Sequence, residues 1–237
     1  MSVELHRPLV LHYETASEMY KQAEEMAIRQ ILDLTAELGL ARVALAGGTT
    51  PIPMYELMAK DPVFPWHEVE IFQTDERYVP ANTEASNQFK IREALGEEPL
   101  QLLRGFKTFN VNLTPELAVK SYHEDLDSLD GKMFDLVVLG IGDDGHIASL
   151  FPEGDYLKHQ HTHTILTSAP ASLMGQQRMS LTLEAILNCE MIMVLLKGSD
   201  KREVVAEMLE GRKKAFEFPA KFLLAHPNLK IFQTFED

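Results

Sequence analysis

Apolar residues along this chain follow two alternating rhythms. Between Ser17 and Leu38, the residues Met19, Ala23, Met26, Ala27, Ile31, Leu34 and Leu38 recur every three or four positions against a polar background. That spacing predicts an amphipathic helix, and Gly39 is placed to stop it. Arg42 to Ala46, Val69 to Gln73, Phe134 to Leu139 and Met191 to Leu196 are instead short apolar runs with little alternation. They predict strands buried on both faces. Arg7 to His12, Thr164 to Ser168 and Leu229 to Gln233 are further strand candidates. Pro51 to Ala59 predicts a helix opened by Thr50 as N-cap, with proline in its first turn. Asn87 to Leu95, Pro115 to Leu129 and Lys201 to Leu209 predict helices, and Leu181 to Leu187 and Pro219 to Ala225 shorter ones. Residues 96–114 are the least regular stretch and predict a long loop.

Strands that alternate with helices imply βαβ units. The expected fold is α/β and Rossmann-like, a mainly parallel sheet with helices on both faces. With no repeat and no low-complexity linker, residues 1–237 are expected to form one domain.

Charge narrows the function. The chain has 237 residues with 22 Lys and Arg against 36 Asp and Glu, a net charge of −14. Such a surface disfavours nucleic acid and anionic membrane as partners. An anionic substrate would need cations gathered locally. The one cysteine, Cys189, borders the apolar run Met191 to Leu196 and reads as a small core-edge residue. No disulfide can form within the chain, and Met1 to Leu11 lacks the apolar core of a signal peptide. Both point to a cytoplasmic protein.

Three strand ends carry candidate chemistry. Ala46-Gly47-Gly48-Thr49-Thr50-Pro51 joins a strand to a helix with glycines and hydroxyls, which suits a phosphate cradle at a helix N-terminus. A tight turn would use the same residues, and the segment is neither a Walker A motif nor a dinucleotide fingerprint. Thr74-Asp75-Glu76-Arg77 ends the next strand. Its arginine fork suits a phosphate or carboxylate, or else pairs with its acidic neighbours at the surface. Gly140-Ile141-Gly142-Asp143-Asp144-Gly145-His146 ends a third strand. His146 is suited to general acid or base work near neutral pH, with Asp143 or Asp144 to orient it. Arg178 and Lys201 are two further cations that could complete an anion pocket. His159, His161 and His163 are spaced by two, but no Cys or carboxylate cluster supports a metal there, and a polar loop is the expected reading. Ser149 lies in no nucleophile elbow. The residues alone imply a phosphorylated small molecule and an acid–base step.

Taken together, Ala46 to Pro51, Asp75-Glu76-Arg77-Tyr78-Val79-Pro80 with Ser86-Asn87, and Gly140 to Pro152 resemble the 6-phosphogluconolactonases. Arg178 with Leu181-Thr182, and Gly198 with Lys201, fit the later motifs of the same group. The wider family includes glucosamine-6-phosphate deaminases/isomerases and belongs to a fold group shared with ribose-5-phosphate isomerase. Within it, Ala148-Ser149-Leu150-Phe151-Pro152 and Asp75-Glu76-Arg77 are similar to the lactonase forms rather than the deaminase ones. Three segments depart from the pattern. Thr83 stands where many lactonases carry His, Ala169 to Gln177 is less proline-rich, and Pro219 to Leu223 matches loosely.

The resemblance implies hydrolysis of 6-phospho-D-glucono-1,5-lactone to 6-phospho-D-gluconate in the oxidative pentose phosphate pathway. It implies His146 as general base and Asp144 as its partner, without metal or cofactor. Gly47, Gly48, Thr49, Thr50, Asp75, Arg77, Gly145, Arg178 and Lys201 are the implied substrate contacts. A monomer or small homo-oligomer is expected. The competing readings are a deaminase/isomerase of an amino sugar phosphate and a non-catalytic sugar-phosphate sensor.

Overall fold

The computed structural model describes residues 5–159, 161–171 and 175–237. Seven strands form a parallel sheet: β1 (Leu9–Tyr13), β2 (Ala41–Leu45), β3 (Val69–Gln73), β5 (Gly105–Lys107), β6 (Phe134–Leu139), β9 (Cys189–Lys197) and β10 (Leu229–Thr234). Their order is β1-β10-β9-β6-β2-β3-β5. From β2 the chain steps outward to β3 and β5, then returns to β6 and steps the other way to β9 and β10. The β2–β6 boundary is therefore the switch point, where open α/β sheets bind ligands beyond their carboxyl ends.

Successive residues of each strand feed opposite cores, which explains the missing polar alternation. Leu136 and Val138 of β6 pack with Met191, Met193 and Leu195 of β9 beneath α1 (Ala16–Leu38), α2 (Ile52–Lys60) and α3 (Asn87–Leu95). Val137 and Leu139 face the other way with Ile192, Val194 and Leu196. They meet α5 (Pro115–Asp127), α6 (Leu183–Leu187) and α7 (Lys201–Glu210). Helix α1 begins at Thr15, whose side chain caps Glu18 N–H, and ends at Gly39 in the left-handed conformation at φ 68°.

Three expectations change. Residues 96–114 are not one long loop: Glu97–Leu102 forms α4, and β5 pairs with β3 at the sheet edge. Its strand carries glycine and lysine and has no periodicity to reveal it. Helix α2 is capped by Pro51, already in helical backbone at φ −79° and ψ −15°, so the Thr50 hydroxyl is not spent on capping. A second sheet is also present, with antiparallel order β4-β8-β7, where β4 is Asp75–Arg77, β7 Thr164–Ser168 and β8 Gln177–Leu181. Ser172, Leu173 and Met174, in the departing stretch before β8, and Met1 to Glu4 lie outside the described residues. No helix among the described residues is long and apolar enough to cross a membrane.

Candidate active site

Four parallel strands end side by side in the order β9-β6-β2-β3. The segments that follow them carry Lys201, His146, Thr49 with Thr50, and Arg77. With strands spaced about 4.8 Å apart, the strand that leads to His146 and the strand that leads to Arg77 are two spacings apart. The segments open into a cleft of about 340 Å³ lined by His146, Thr49, Thr50, Arg77, Arg178 and Lys201, among others.

The turn after β6 is closed by its own backbone. Gly142 N–H donates to the His146 carbonyl at 2.9 Å, and Gly145 N–H donates to the Gly142 carbonyl at 2.9 Å. Gly145 sits at φ 86°, and a Cβ there would meet the Phe218 ring at 2.4 Å. Ala220 N–H reaches the Gly145 carbonyl at 2.9 Å from behind. Glycine is required at 142 as well, since a Cβ would fall 2.1 Å from His146 Nδ1.

This folding decides which acid serves the imidazole. Asp144 Oδ1 lies 2.6 Å from His146 Nδ1 and also accepts the His146 backbone N–H at 3.1 Å. Asp143 instead accepts a hydrogen bond from Lys201 Nζ. A proton on Nδ1, shared with Asp144, leaves Nε2 as the ring's acceptor. Burial works to raise the Asp144 carboxyl, but the hydrogen bond and charge of His146 outweigh it and hold the group below the usual carboxylate range. Phe151 lies against the ring with centroids 4.8 Å apart.

Across the cleft, Arg77 and Arg178 are directly opposite in the β4–β8 pairing, which puts both side chains on one face. Arg77 Nη1 donates to the Ala85 carbonyl at 2.8 Å, while Arg77 Nε and Arg178 Nε are buried without a partner among the described residues. Arg77 is therefore not the surface ion pair that its acidic neighbours suggested. Glu76 turns inward and accepts from Gln73 Nε2, Ser86 Oγ and the backbone N–H groups of Arg77, Asn87 and Gln88. Asp75 accepts from Ser149 Oγ at 2.8 Å and lines the cleft.

Gly47, Gly145 and Asp144 are not among the residues that line the cleft. At Gly47 an added Cβ would lie 2.3 Å from Asn87 Cβ, so this glycine lets α3 approach the loop. Thr83 bonds the Pro80 carbonyl and does not line the cleft. His163 pairs loosely with Asp127 at 3.5 Å, and no group of three metal-ligating side chains occurs among the described residues. Cys189 is buried at the start of β9, with Sγ 3.5 Å from His226 Nε2.

Asn87, which the sequence offered only as part of a motif, and Lys90, which it did not single out, line the cleft from the first turn of α3. The signal was available: Ser86 as N-cap sets the helix phase, and residues three apart share a face. Asn87 Nδ2 donates to the Asp75 carbonyl at 3.0 Å, and its buried Oδ1 has no partner among the described residues.

Residues 14–231 match the family model described as glucosamine-6-phosphate isomerases/6-phosphogluconolactonase. The chain is 30% identical over 207 residues to the 6-phosphogluconolactonase of Synechocystis sp., covering 82% of each. It is 32% identical over 168 residues to that of Thermotoga maritima, covering 71% of this chain and 74% of the relative. Its fold superposes on a crystal structure of a 6-phosphogluconolactonase from Shewanella baltica with a TM-score of 0.87 at 26% identity, covering 98% and 99% of the two chains.

Proposed function

This chain belongs to the glucosamine-6-phosphate isomerase/6-phosphogluconolactonase family, and from that premise we propose that it hydrolyses 6-phospho-D-glucono-1,5-lactone to 6-phospho-D-gluconate. The observation that carries the mechanism is the Asp144–His146 pair, with His146 lining the cleft. Water adds to the lactone carbonyl carbon as Nε2 takes its proton. The acyl–oxygen bond of the ring then breaks, and His146 returns the proton to the departing ring oxygen. Asp144 keeps the imidazole in the right tautomer and favours its protonated form. A positioned base of this kind contributes about 10²–10⁴-fold.

The loops at these strand ends orient the substrate. Lys201, beside His146 and held by Asp143, serves the oxyanion that develops on the carbonyl oxygen. The phosphate lies toward the other end, on Thr49, Thr50 and the Gly48 backbone, with Arg77 and Arg178. Two strand spacings suit a six-carbon sugar phosphate whose reacting carbon and phosphate are at opposite ends. Binding at the phosphate end fixes the ring against His146. Asp75 and the buried Ser149 hold the wall between them. In this reading residues 1–237 act as one cytoplasmic hydrolase domain on a free small molecule, as a monomer or small homo-oligomer.

The test is His146→Ala. The variant is expected to bind 6-phosphogluconate as the wild type does while kcat for lactone hydrolysis, measured above the spontaneous rate, falls about 10²–10⁴-fold. Unchanged turnover overturns His146 as the base. Ammonia release from glucosamine 6-phosphate by the wild type, with no acceleration of lactone hydrolysis, overturns the lactonase reading.

A further inference from the structure

One end of the cleft gathers three cations. Arg77 and Arg178 face each other across β4 and β8, and Lys90 reaches the same cleft from α3. None of the three belongs to an ion pair among the described residues. Acidic residues nonetheless outnumber basic ones 36 to 22. Two buried carboxylates act on these cations from nearby, but Glu76 is occupied by hydrogen bonds to other groups and Asp75 accepts from Thr74 and Ser149. Glu84 is exposed and acts on Lys90 only from a distance. Lys201, by contrast, has Asp143 and Asp200 beside it.

Like charges set opposite each other destabilise a sheet, and partial burial adds to the cost. An anion seated between them removes both penalties. We propose that Lys90 is a specificity-determining residue, closing with Arg77 and Arg178 a three-cation pocket around the phosphoryl group of the substrate. This assignment rests on the lactonase reading above. Two guanidinium forks can satisfy a carboxylate with its two oxygens and single charge. A phosphate monoester carries a third free oxygen and nearly a second charge, and an ammonium group answers both. Burial, then the charge of Arg77, lowers the Lys90 ammonium from its ordinary value, and Arg178 adds to the effect. A bound dianion would reverse that repulsion. The placement of Lys90 follows from α3 itself: it lies three residues after Asn87, on the face that Gly47 allows to close against the loop.

Lys90→Met keeps the aliphatic stem and removes the charge, and Lys90→Arg keeps the charge. Hydrolysis above the spontaneous rate is measured for 6-phosphogluconolactone and for unphosphorylated 1,5-gluconolactone, and inorganic phosphate binding is measured by titration calorimetry. In Lys90→Met the ratio of kcat/KM for the phosphorylated over the unphosphorylated lactone is expected to fall about 10-fold or more, mainly through KM. Inorganic phosphate is expected to bind about 10-fold more weakly to this variant, and Lys90→Arg to recover most of both losses. An unchanged ratio or an unchanged phosphate affinity overturns the role of Lys90. A wild-type protein that does not accelerate hydrolysis of the phosphorylated lactone overturns the lactonase reading instead, and the phosphate titration then still decides Lys90.

Discussion

Gly142 shows how a residue without a side chain sets the chemistry of its neighbour. The space where its Cβ would stand is filled by His146 Nδ1 at 2.1 Å, with Asp144 Oδ1 at 2.9 Å. Gly142→Ala must therefore push the imidazole off its carboxylate while leaving the phosphate end untouched. A displacement near 1 Å at a reacting group costs about 10²-fold in rate. We expect kcat to fall by about that factor while the affinity for 6-phosphogluconate changes little, which steady-state kinetics with product inhibition will measure. The sequence showed two adjacent acids beside one histidine and left the choice open. The turn geometry gives Asp144 to His146 and Asp143 to Lys201.

At the scale of elements, the site depends on how α3 is seated. Its first turn presents Asn87 and Lys90, and its N-terminal amides at Asn87 and Gln88 are satisfied by the buried Glu76 carboxylate at 2.7 and 2.8 Å. A carboxylate there also complements the helix dipole. Glu76→Gln keeps the shape but turns one acceptor into a donor that faces other donors. The variant is expected to lose about 2 kcal/mol of stability and to melt about 4–8 °C lower, as read by thermal denaturation. The sequence left open whether Arg77 serves an anion or pairs with its acidic neighbours at the surface. Instead β4 leaves the main sheet directly after β3 and pairs with β8, sending Glu76 inward and Arg77 into the cleft. The strands with a strong apolar signal were legible from the sequence, and Phe134–Leu139 agrees at both ends. β4, β5 and β8 were not, because three polar-rich residues or a mixed five have no period to read and exist only through their partners.

For the molecule as a whole, burial raises several groups whose ionisation opposes folding, Tyr55, Tyr122 and Tyr156 among them, and of these the Cys189 thiol begins to ionise at the lowest pH in the unfolded chain. Burial pushes the Cys189 thiol up to about 12. In the unfolded chain the thiol ionises near its ordinary value of about 8.5. The sign follows: below that value the thiol is neutral in both states and costs nothing. Above it the unfolded chain loses its proton first, so stability declines until the pH passes the folded value. At pH 10.5 this amounts to about 2–3 kcal/mol. Denaturant midpoints at pH 8 and pH 10.5 should show that decline, and Cys189→Ala should reduce it, the remainder coming from the buried tyrosines Tyr55, Tyr122 and Tyr156. An equal decline in the variant would place the alkaline sensitivity elsewhere.

Local pattern alone determined the α/β alternation, the helix read over Ser17 to Leu38 with its glycine stop, the buried strands, and the segments that carry His146, Thr49, Thr50 and Arg77. Periodicity, caps and turn residues act over a few positions, so a sequence displays them directly. Only the tertiary structure decided that Arg178 stands opposite Arg77, that Lys90 joins them, that Asp144 rather than Asp143 holds His146, and that Gly47 and Gly145 do not line the cleft. Those outcomes depend on which strands become neighbours and on which side chains compete for the same space. Such contacts join residues far apart in the chain and leave no local period to read.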